Sequence, residues 1–469
     1  MTSSKLLLSC VLTAACSIAS ALHEQSASSP GFVSMQAKRT YSPEISKRDV
    51  DTEVTLYNYT NWAYSVELSI GSPAQQIRLQ IDSGSSETWV NPNCANAGSA
   101  ANQQLCKSWG QYDFSKSKTG TNLRWQNTLA YGSGGTKVAY IADNVSIPDS
   151  TINLKNVSIG VASDTNGLFA GILGLGYGID RNSDFQHFPN FIDRLADQNV
   201  TATKAMSVAL GSAADDNAGV IIFGGVDTKK FSGNLTALPI LSQMDGDYYR
   251  YVVKLDSMGL TMSGSNKTYD NSTLRVLVDT GHTDCQLPES ILTDLANDLG
   301  GDWDPISKSY VADCSVLNTN GTVDFTLSGR KISVPFAEFI TPQEDKNGNE
   351  ICRLGSGNIN FGNYWVLGDS FMRAAYTIFD QTSDKVFIAP YEDCGTHQQA
   401  ITTDGPADFV GECGQATADD SKPTTTSSGS GSGPTTSQTT ASQNENTGSR
   451  AAASLWVGLG ALAAGVSLL

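Results

Sequence analysis

Residues 79–86 read Leu-Gln-Ile-Asp-Ser-Gly-Ser-Ser, and this stretch decides the fold. An apolar run ends in a carboxylate, a hydroxyl and a glycine, which is typical of a strand that enters a tight turn. Residues 275–281, which read Arg-Val-Leu-Val-Asp-Thr-Gly, repeat the pattern far downstream. A single Asp-Ser-Gly is usually only a turn, because all three residue types favour turns. Two copies call for a further explanation.

Each copy is followed by a second shared motif. Gly174 ends an Ile-Leu-Gly motif 92 residues after Asp82, and Gly368 ends a Val-Leu-Gly motif 89 residues after Asp279. The same order at nearly the same spacing indicates an internal duplication. Two facing loops would bring Asp82 and Asp279 together, and carboxylates that share a site hold one proton between them. Such a pair can act as a base towards water and as an acid towards a carbonyl oxygen.

Composition and charge narrow the class of protein. The 469 residues include 44 glycines and many short runs of Val, Ile, Thr and aromatic residues, which favours a mostly-β fold. A formal net charge of −17 argues against nucleic acid as a partner. There are four histidines and no His-Glu-x-x-His motif, no cysteines at metal-ligand spacing and no Gly-x-Ser-x-Gly elbow. The sequence therefore predicts no metal, no cofactor and neither zinc nor serine peptidase chemistry.

A glycoside hydrolase also uses paired carboxylates, but it does not need them in duplicated Asp-[Ser/Thr]-Gly loops. The chain resembles the pepsin-family aspartic proteases, on motifs that occur together and in order between about residues 60 and 395. The matching motifs are residues 64–75, 81–90, 131–134, 171–177 and 366–373. The resemblance implies a bilobal pepsin-like aspartic protease fold, with two duplicated β-rich lobes and the active-site cleft between them. It implies an aspartic endopeptidase, a monomer acting on protein or peptide substrates, most similar to the GPI-anchored yapsin-like fungal enzymes.

The resemblance also implies roles for individual residues. The catalytic pair would be Asp82 and Asp279. Residues supporting the pair would be Ser83, Gly84, Ser85, Thr280, Gly281 and His282. A glycine-tipped hairpin would form a flap over the substrate, with flap and substrate-binding residues Tyr131, Gly132, Ser133, Trp89 and Ile172. Two acids near the cleft, Glu87 and Asp284, would favour basic side chains in the substrate.

His282 is a departure from the family pattern, which usually has Ser or Thr at this place. A neutral imidazole would donate a hydrogen bond to Asp279, whereas a protonated one would lower the pKa of the pair. If the protonated ring lowers the pKa of the pair, replacing His282 should move the alkaline limb of the pH–activity profile upward. The alternative is that the ring turns away and water takes the role.

The N-terminal part of the chain reads as a series of processed segments. Residues 1–21 form a signal peptide with a short apolar stretch and an Ala-x-Ala cleavage site. Residues 22–48 end in Lys-Arg and read as a basic pro-segment, expected against the acidic cleft as in related zymogens. The alternative is an ordinary disordered N-terminus. The lobes would then comprise residues 49–238 and 239–396.

The C-terminal part predicts attachment to a membrane. Residues 397–450 read as a disordered Ser/Thr-rich stalk, and residues 451–469 as a hydrophobic GPI signal. The expected attachment residue is Asn446. The alternative is a tail anchor, although an apolar run of about 15 residues is short for a membrane span. The predicted location is the cell surface, at the plasma membrane or wall, reached through the secretory pathway.

Cysteines and sequons agree with secretion. The family resemblance suggests the disulfides Cys94–Cys106 and Cys314–Cys352, with Cys394–Cys413 bridging the start of the stalk. Cys285 is left as a buried free thiol. Asn-x-Ser/Thr sequons, the predicted glycosylation sites, occur at Asn58, Asn144, Asn156, Asn199, Asn234, Asn266, Asn271 and Asn320.

A second class of function is a catalytically inactive surface glycoprotein that binds or adheres through the same fold. An inactive relative would be expected to lack at least one residue of the site. Both aspartates, both neighbouring hydroxyls, Tyr131 and both glycine motifs are present in this sequence. The residues therefore favour the peptidase.

Overall fold

The computed structural model describes residues 31–40, 63–97, 99–131, 134–166, 168–182, 187–214, 219–241, 249–269, 273–344, 350–356 and 364–414. The strands of the first half are β1 (Val33–Thr40), β2 (Ala63–Ile70), β3 (Gln75–Asp82), β4 (Trp89–Val90), β5 (Thr121–Tyr131), β6 (Gly134–Ser146), β7 (Asn153–Asn166), β8 (Gly171–Gly174), β9 (Ala205–Ala209), β10 (Gly219–Phe223), β11 (Gly225–Asp227), β12 (Ser232–Asn234) and β13 (Thr236–Pro239).

The second half has the same predominance of strands. They are β14 (Val252–Leu255), β15 (Ser257–Met262), β16 (Ser265–Thr268), β17 (Leu274–Val278), β18 (Asp302–Asp304), β19 (Ser309–Ala312), β20 (Gly321–Leu327), β21 (Arg330–Pro335), β22 (Thr341–Glu344), β23 (Glu350–Gly355), β24 (Trp365–Leu367), β25 (Ala375–Asp380), β26 (Lys385–Pro390), β27 (Gln398–Ala400) and β28 (Val410–Glu412). The helices are α1 (Ala100–Trp109), α2 (Phe191–Asp197), α3 (Glu289–Asp298), α4 (Phe336–Phe339) and α5 (Asp369–Met372). The mostly-β fold expected from the sequence is confirmed.

The sequence repeat corresponds to a repeated strand pair. β3, which ends at Asp82, runs parallel to β8, and Asp82 lies opposite Gly174. β17, which leads into Asp279, runs parallel to β24, and Val278 lies opposite Leu367. The carboxyl ends of parallel strands meet at one edge of a sheet, so each aspartate leaves its strand beside the downstream glycine motif. This pairing explains why the two motifs keep nearly the same spacing in both halves.

A six-stranded part of one large sheet joins the lobes, in the order β13-β26-β25-β9-β10-β1. β9 of the first half pairs antiparallel with β25 of the second, with Val208 opposite Thr377. β13 crosses the expected lobe boundary at residue 239 and pairs with β26. The lobes are thus connected by continuous backbone hydrogen bonding as well as by the chain itself.

The pro-segment expected over residues 22–48 is described only at residues 31–40, and most of this piece is strand β1. Val33, Met35 and Ala37 are buried, and they alternate with exposed residues, as a half-buried strand requires. β1 pairs with β10 and then with β2. The expectation that the pro-segment lies against the acidic cleft is therefore wrong for this stretch, because its alternating apolar side chains are buried in the interlobe sheet. The signal peptide and the cleavage point at residue 48 lie outside the described residues.

The predicted start of the stalk at residue 397 is too early. β27 pairs with β11 and β28 pairs with β12, which adds residues 398–412 to the folded body. Ile401 is fully buried. The compositional change that suggested a stalk begins only after this short segment. Residues 415–469, with Asn446 and the apolar tail, lie outside the described part of the chain.

The structure contains the three disulfides expected from the family resemblance. They are Cys94–Cys106, Cys314–Cys352 and Cys394–Cys413. The first fixes α1, which the sequence did not predict, to the loop that follows β4. Cys285 is a buried free thiol, 3.3 Å from the hydroxyl of Ser370.

Most of the sequons lie within the described residues. The exposed ones are Asn156, Asn199, Asn234, Asn266 and Asn320. Asn144 is partly buried within β6, while Asn58 and Asn271 lie outside the described residues. No helix in the described ranges is long and apolar enough to cross a bilayer.

Candidate active site

Asp82 and Asp279 meet at the junction of the two lobes, and both are fully buried. The backbone N–H of Gly84 donates to Oδ1 of Asp82 at 2.8 Å and to Oδ1 of Asp279 at 3.1 Å. The N–H of Gly281 donates to Oδ1 of Asp279 at 2.8 Å. A Cβ atom on Gly84 would lie 2.5 Å from Oδ2 of Asp279, so only glycine permits this approach. One N–H thus bridges two carboxyl groups that come from opposite halves of the chain.

Burial raises the pKa of both aspartates. For Asp82, hydrogen bonds from Ser85 and Gly84 act against the burial and favour the ionised form. For Asp279, the charge of Asp82 adds to the burial, so its pKa is raised well above the ordinary value. Two buried carboxyl groups in contact cannot both ionise easily, so they titrate as a pair.

The two aspartate loops brace each other through reciprocal hydrogen bonds. The N–H of Ser83 donates to Oγ1 of Thr280, and the N–H of Thr280 donates to Oγ of Ser83, both at 3.0 Å. The Ser83 hydroxyl in turn donates to the carbonyl oxygen of Val278 at 3.0 Å. Gln80 reaches across to the carbonyl oxygen of Gly281 at 3.3 Å. These contacts fix the relative position of the two loops from both sides.

The outer oxygens of the pair have different surroundings. Oδ2 of Asp82 accepts a hydrogen bond from the hydroxyl of Ser85, three residues further along the chain. Oδ2 of Asp279 is buried and accepts no hydrogen bond from a protein donor in the described part of the chain. The residue at the matching offset from Asp279 is His282. The two loops therefore share the hydrogen bond from the glycine N–H to the aspartate, at 2.8 Å in each, and differ in the side chain at this offset.

His282 does not take the role of the family hydroxyl. Its Nδ1 lies 2.9 Å from the carbonyl oxygen of Asp284, two residues away. Burial lowers the pKa of His282 to about 4. The imidazole is therefore neutral above that pH, which argues against the hypothesis that it acts as a cation beside Asp279, because a buried ring lacks the solvation that a charge needs.

The segment expected to act as a flap forms the β5–β6 hairpin. Tyr131, at the end of β5, is buried, and its hydroxyl accepts a hydrogen bond from Nε1 of Trp89 at 2.8 Å. The two rings are stacked with centroids 6.4 Å apart. Ile172 lies beneath them in β8, opposite both Gln80 and Trp89. The tip residues Gly132 and Ser133 lie outside the described residues.

A cavity of about 430 Å³ opens beside the pair, between the Asp82 loop, β5 and the segment before β14. Two of its charged side chains are Glu87 and Arg250. Glu87 accepts hydrogen bonds from Tyr140 at 2.9 Å and Asn127 at 3.3 Å, and burial raises its pKa. Arg250 was not predicted from the sequence, because it stands in no motif and reaches the site only through the fold.

The second acid suggested for substrate selection has another partner. Asp284 and Arg353 form an ion pair at 2.9 Å in which both side chains are largely buried. A paired carboxylate of this kind serves the structure more than it attracts a basic substrate. Among the described residues, no cluster of three His, Cys, Asp or Glu side chains can hold a metal ion.

Comparisons with known proteins agree with this geometry. The family model described as eukaryotic aspartyl protease matches residues 63–391. The chain is 30% identical over 380 residues to "Probable aspartic-type endopeptidase opsB" of Aspergillus fumigatus, a match that covers 77% of this chain and 76% of that protein. It is 31% identical over 385 residues to "Secreted aspartic protease 1" of Candida albicans, covering 77% of this chain and 90% of that protein.

A solved structure shares the fold. The aspartic proteinase from Irpex lacteus aligns with a TM-score of 0.58 at 21% identity, covering 77% of this chain and 98% of its own. Buried paired aspartates on a duplicated β fold, together with the family match, define the class of protein. The chain belongs to the eukaryotic aspartyl protease family. It is therefore an aspartic-type endopeptidase, and its sequence is similar to those of fungal enzymes.

Proposed function

We propose that this protein hydrolyses peptide bonds at acidic pH through Asp82 and Asp279, without metal or cofactor. The observation that carries the proposal is the single N–H of Gly84, which touches one carboxyl oxygen of each aspartate. Two carboxyl groups held this closely in a buried site keep one proton between them over an acidic pH range. The pair then presents a base and an acid side by side.

Each group has a defined part in the reaction. A water molecule between the carboxyl groups attacks the carbonyl carbon of the substrate, and the ionised carboxylate takes its proton. The other carboxyl gives its proton to the carbonyl oxygen, so the tetrahedral intermediate is neutral and no bond to the protein forms. When the C–N bond breaks, a carboxyl proton passes to the leaving nitrogen, while one hydroxyl of the intermediate gives its proton to the other carboxylate, so the product acid forms and the pair is again singly protonated.

The surrounding residues support this chemistry. Ser83 and Thr280 keep the two loops in register, so the distance between the carboxyl groups is set before substrate arrives. Tyr131 on the hairpin, positioned by Trp89, covers the site and shields the reacting groups from bulk solvent. The cavity lined by Glu87 and Arg250 accommodates a substrate side chain next to the scissile bond.

The test uses a denatured protein substrate at acidic pH and the secreted mature chain. Asp82→Asn and Asp279→Asn should each lower the cleavage rate by about 10²–10⁴-fold or more, because each removes a proton acceptor or donor. Asp324→Asn is the matched control, since Asp324 is also largely buried but bonds to Thr261 and Lys331 on another sheet. Full cleavage by either Asn variant at the pair would contradict the proposed mechanism, whereas no cleavage by the unmodified chain would favour a binding protein on the same fold.

We further propose that the enzyme is held at the cell surface by a GPI anchor attached near Asn446. The proposal rests on the sequence, with its signal peptide, sequons, Ser/Thr-rich stalk and apolar end. A relative named as a secreted protease agrees with export from the cell. Treatment of intact cells with a phosphatidylinositol-specific phospholipase should release the protein without its last residues. Retention of the protein on membranes, with residues 451–469 still attached, would contradict the anchor.

A further inference from the structure

Arg250 lies in the wall of the cleft at a place that cannot be read from any motif. It precedes β14, the strand that pairs with β17 and so supports Asp279. Its Nη1 donates a hydrogen bond to the carbonyl oxygen of Gly84, in the loop that carries Asp82. A side chain of the second lobe thus reaches across to the catalytic loop of the first.

The backbone next to Arg250 is itself fixed to the first lobe. The N–H of Tyr249 donates to Oδ1 of Asn182 at 2.7 Å, and Nδ2 of Asn182 lies 3.4 Å from the carbonyl oxygen of Tyr249. Asn182 is buried, and the guanidinium of Arg181 lies 5.2 Å from the centre of the Tyr249 ring. The position of Arg250 is therefore built into the junction of the lobes.

Gly84 is the residue through which Arg250 acts on the carboxyl pair. The N–H of Gly84 bridges Asp82 and Asp279, and its carbonyl oxygen is held by the guanidinium. We infer, on the basis of the proposed function, that Arg250 is a positioning residue for the catalytic pair. It fixes the bridging Gly84 from the opposite lobe and places a permanent positive charge beside the shared proton.

The charge has a consequence that a purely structural contact would lack. The positive charge of the guanidinium lowers the pKa of three carboxyl groups in the cleft, because it favours their ionised form. They are Asp82, Asp279 and Glu87. Burial raises the pKa of the pair, and Arg250 limits that rise. Without the charge, the pair holds its protons to higher pH. Both limbs of the pH–rate profile should then move upward together.

Three variants separate the charge from the hydrogen bond. Arg250→Lys keeps the charge, Arg250→Gln keeps an N–H donor without charge, and Arg250→Met keeps neither. Lys254→Gln is the matched control, because it removes a nearby cation that pairs with Asp256 at 2.9 Å and does not contact Gly84. Each protein is assayed for kcat/KM on a peptide from pH 2 to 8. Binding of a statine-type peptide, whose hydroxyl replaces the attacking water, reports the proton state of the pair without turnover.

The Gln and Met variants should move both limbs, and the pH dependence of analogue binding, upward by about one unit. Arg250→Lys and the control Lys254→Gln should stay within a few tenths of a unit of the unmodified enzyme. Slower cleavage by Gln and Met at every pH, with limbs and analogue binding unmoved, would overturn the inference and leave Arg250 a merely structural contact. Cleavage that survives Asp82→Asn would instead overturn the proposed function, so the two failures are distinguishable.

Discussion

Replacing His282 tests whether the asymmetry of the outer oxygens controls the acidity of the pair. Among the described residues no protein donor reaches Oδ2 of Asp279, whereas Oδ2 of Asp82 accepts a hydrogen bond from Ser85. His282→Thr places a hydroxyl at the same three-residue offset from its aspartate. His282→Val has nearly the same shape and lacks the hydroxyl. The two variants share the space left by the imidazole, so they differ mainly in one hydrogen-bond donor.

The size of the effect follows from the bond that is gained. A hydrogen bond to a charged group contributes about 1.5–3 kcal/mol, and one pKa unit corresponds to about 1.4 kcal/mol. The threonine hydroxyl favours ionised Asp279 and should lower its pKa by about 1–2 units relative to the valine variant. The pair then loses its working proton at lower pH. The alkaline limb of His282→Thr should therefore lie below that of His282→Val by a similar amount.

The assay is the pH dependence of kcat/KM on one peptide, with thermal unfolding measured to confirm that both variants fold. Burial already holds His282 neutral above about pH 4, so loss of the ring as such should leave the alkaline limb in place. His282→Val should accordingly retain the limb of the unmodified enzyme. A threonine variant whose limb coincides with that of the valine variant, or lies above it, would refute the reasoning about Oδ2.

Three further substitutions probe neighbouring parts of the site. Trp89→Phe removes the 2.8 Å hydrogen bond to Tyr131 and should lower kcat/KM about tenfold, or ~1.4 kcal/mol, without changing the limbs of the pH profile. An unchanged kcat/KM would contradict the role of this hydrogen bond. Gly84→Ala puts a methyl group 2.5 Å from Oδ2 of Asp279 and should abolish cleavage while circular dichroism shows a folded protein; retained activity would exclude the close approach. Asp279→Asn should raise the melting temperature near pH 7 and lose that advantage below about pH 4, because a buried carboxyl with a raised pKa stabilises the fold only while it is protonated. Equal melting temperatures at both pH values would show that Asp279 ionises without penalty.

Much of the site could be predicted because the chain contains it twice. Asp82 and Asp279 were recognisable from two similar tripeptides with similar downstream motifs, and parallel pairing of β3 with β8 and of β17 with β24 is the physical basis of that spacing. The reciprocal hydrogen bonds of Ser83 and Thr280 likewise follow from two equivalent loops that face each other. A duplicated site is easier to predict from sequence, because a motif found in one half predicts its counterpart in the other.

The features missed lie where one half has no counterpart in the other or where contacts are distant in sequence. Arg250 contacts Gly84, which lies 166 residues earlier in the sequence, and no local sequence pattern predicts that contact. His282 matches no residue of the first loop, and its direction depends on a rotamer and on the buried carbonyl oxygen of Asp284. β1 and β28 have pairing partners that are remote in sequence. Local composition therefore misplaced them in a cleft-bound pro-segment and a disordered stalk.

The most direct test counts the protons that Asp82 and Asp279 hold. The mature chain and its Asp82→Asn/Asp279→Asn double variant are titrated from pH 2 to 8, and the difference in bound protons is recorded. Sharing of one proton by a buried pair predicts two separate one-proton steps, with the second well above the ordinary aspartate pKa of about 3.9. Loss of both protons in a single step near that ordinary value would show two independent carboxylates and contradict the shared-proton mechanism.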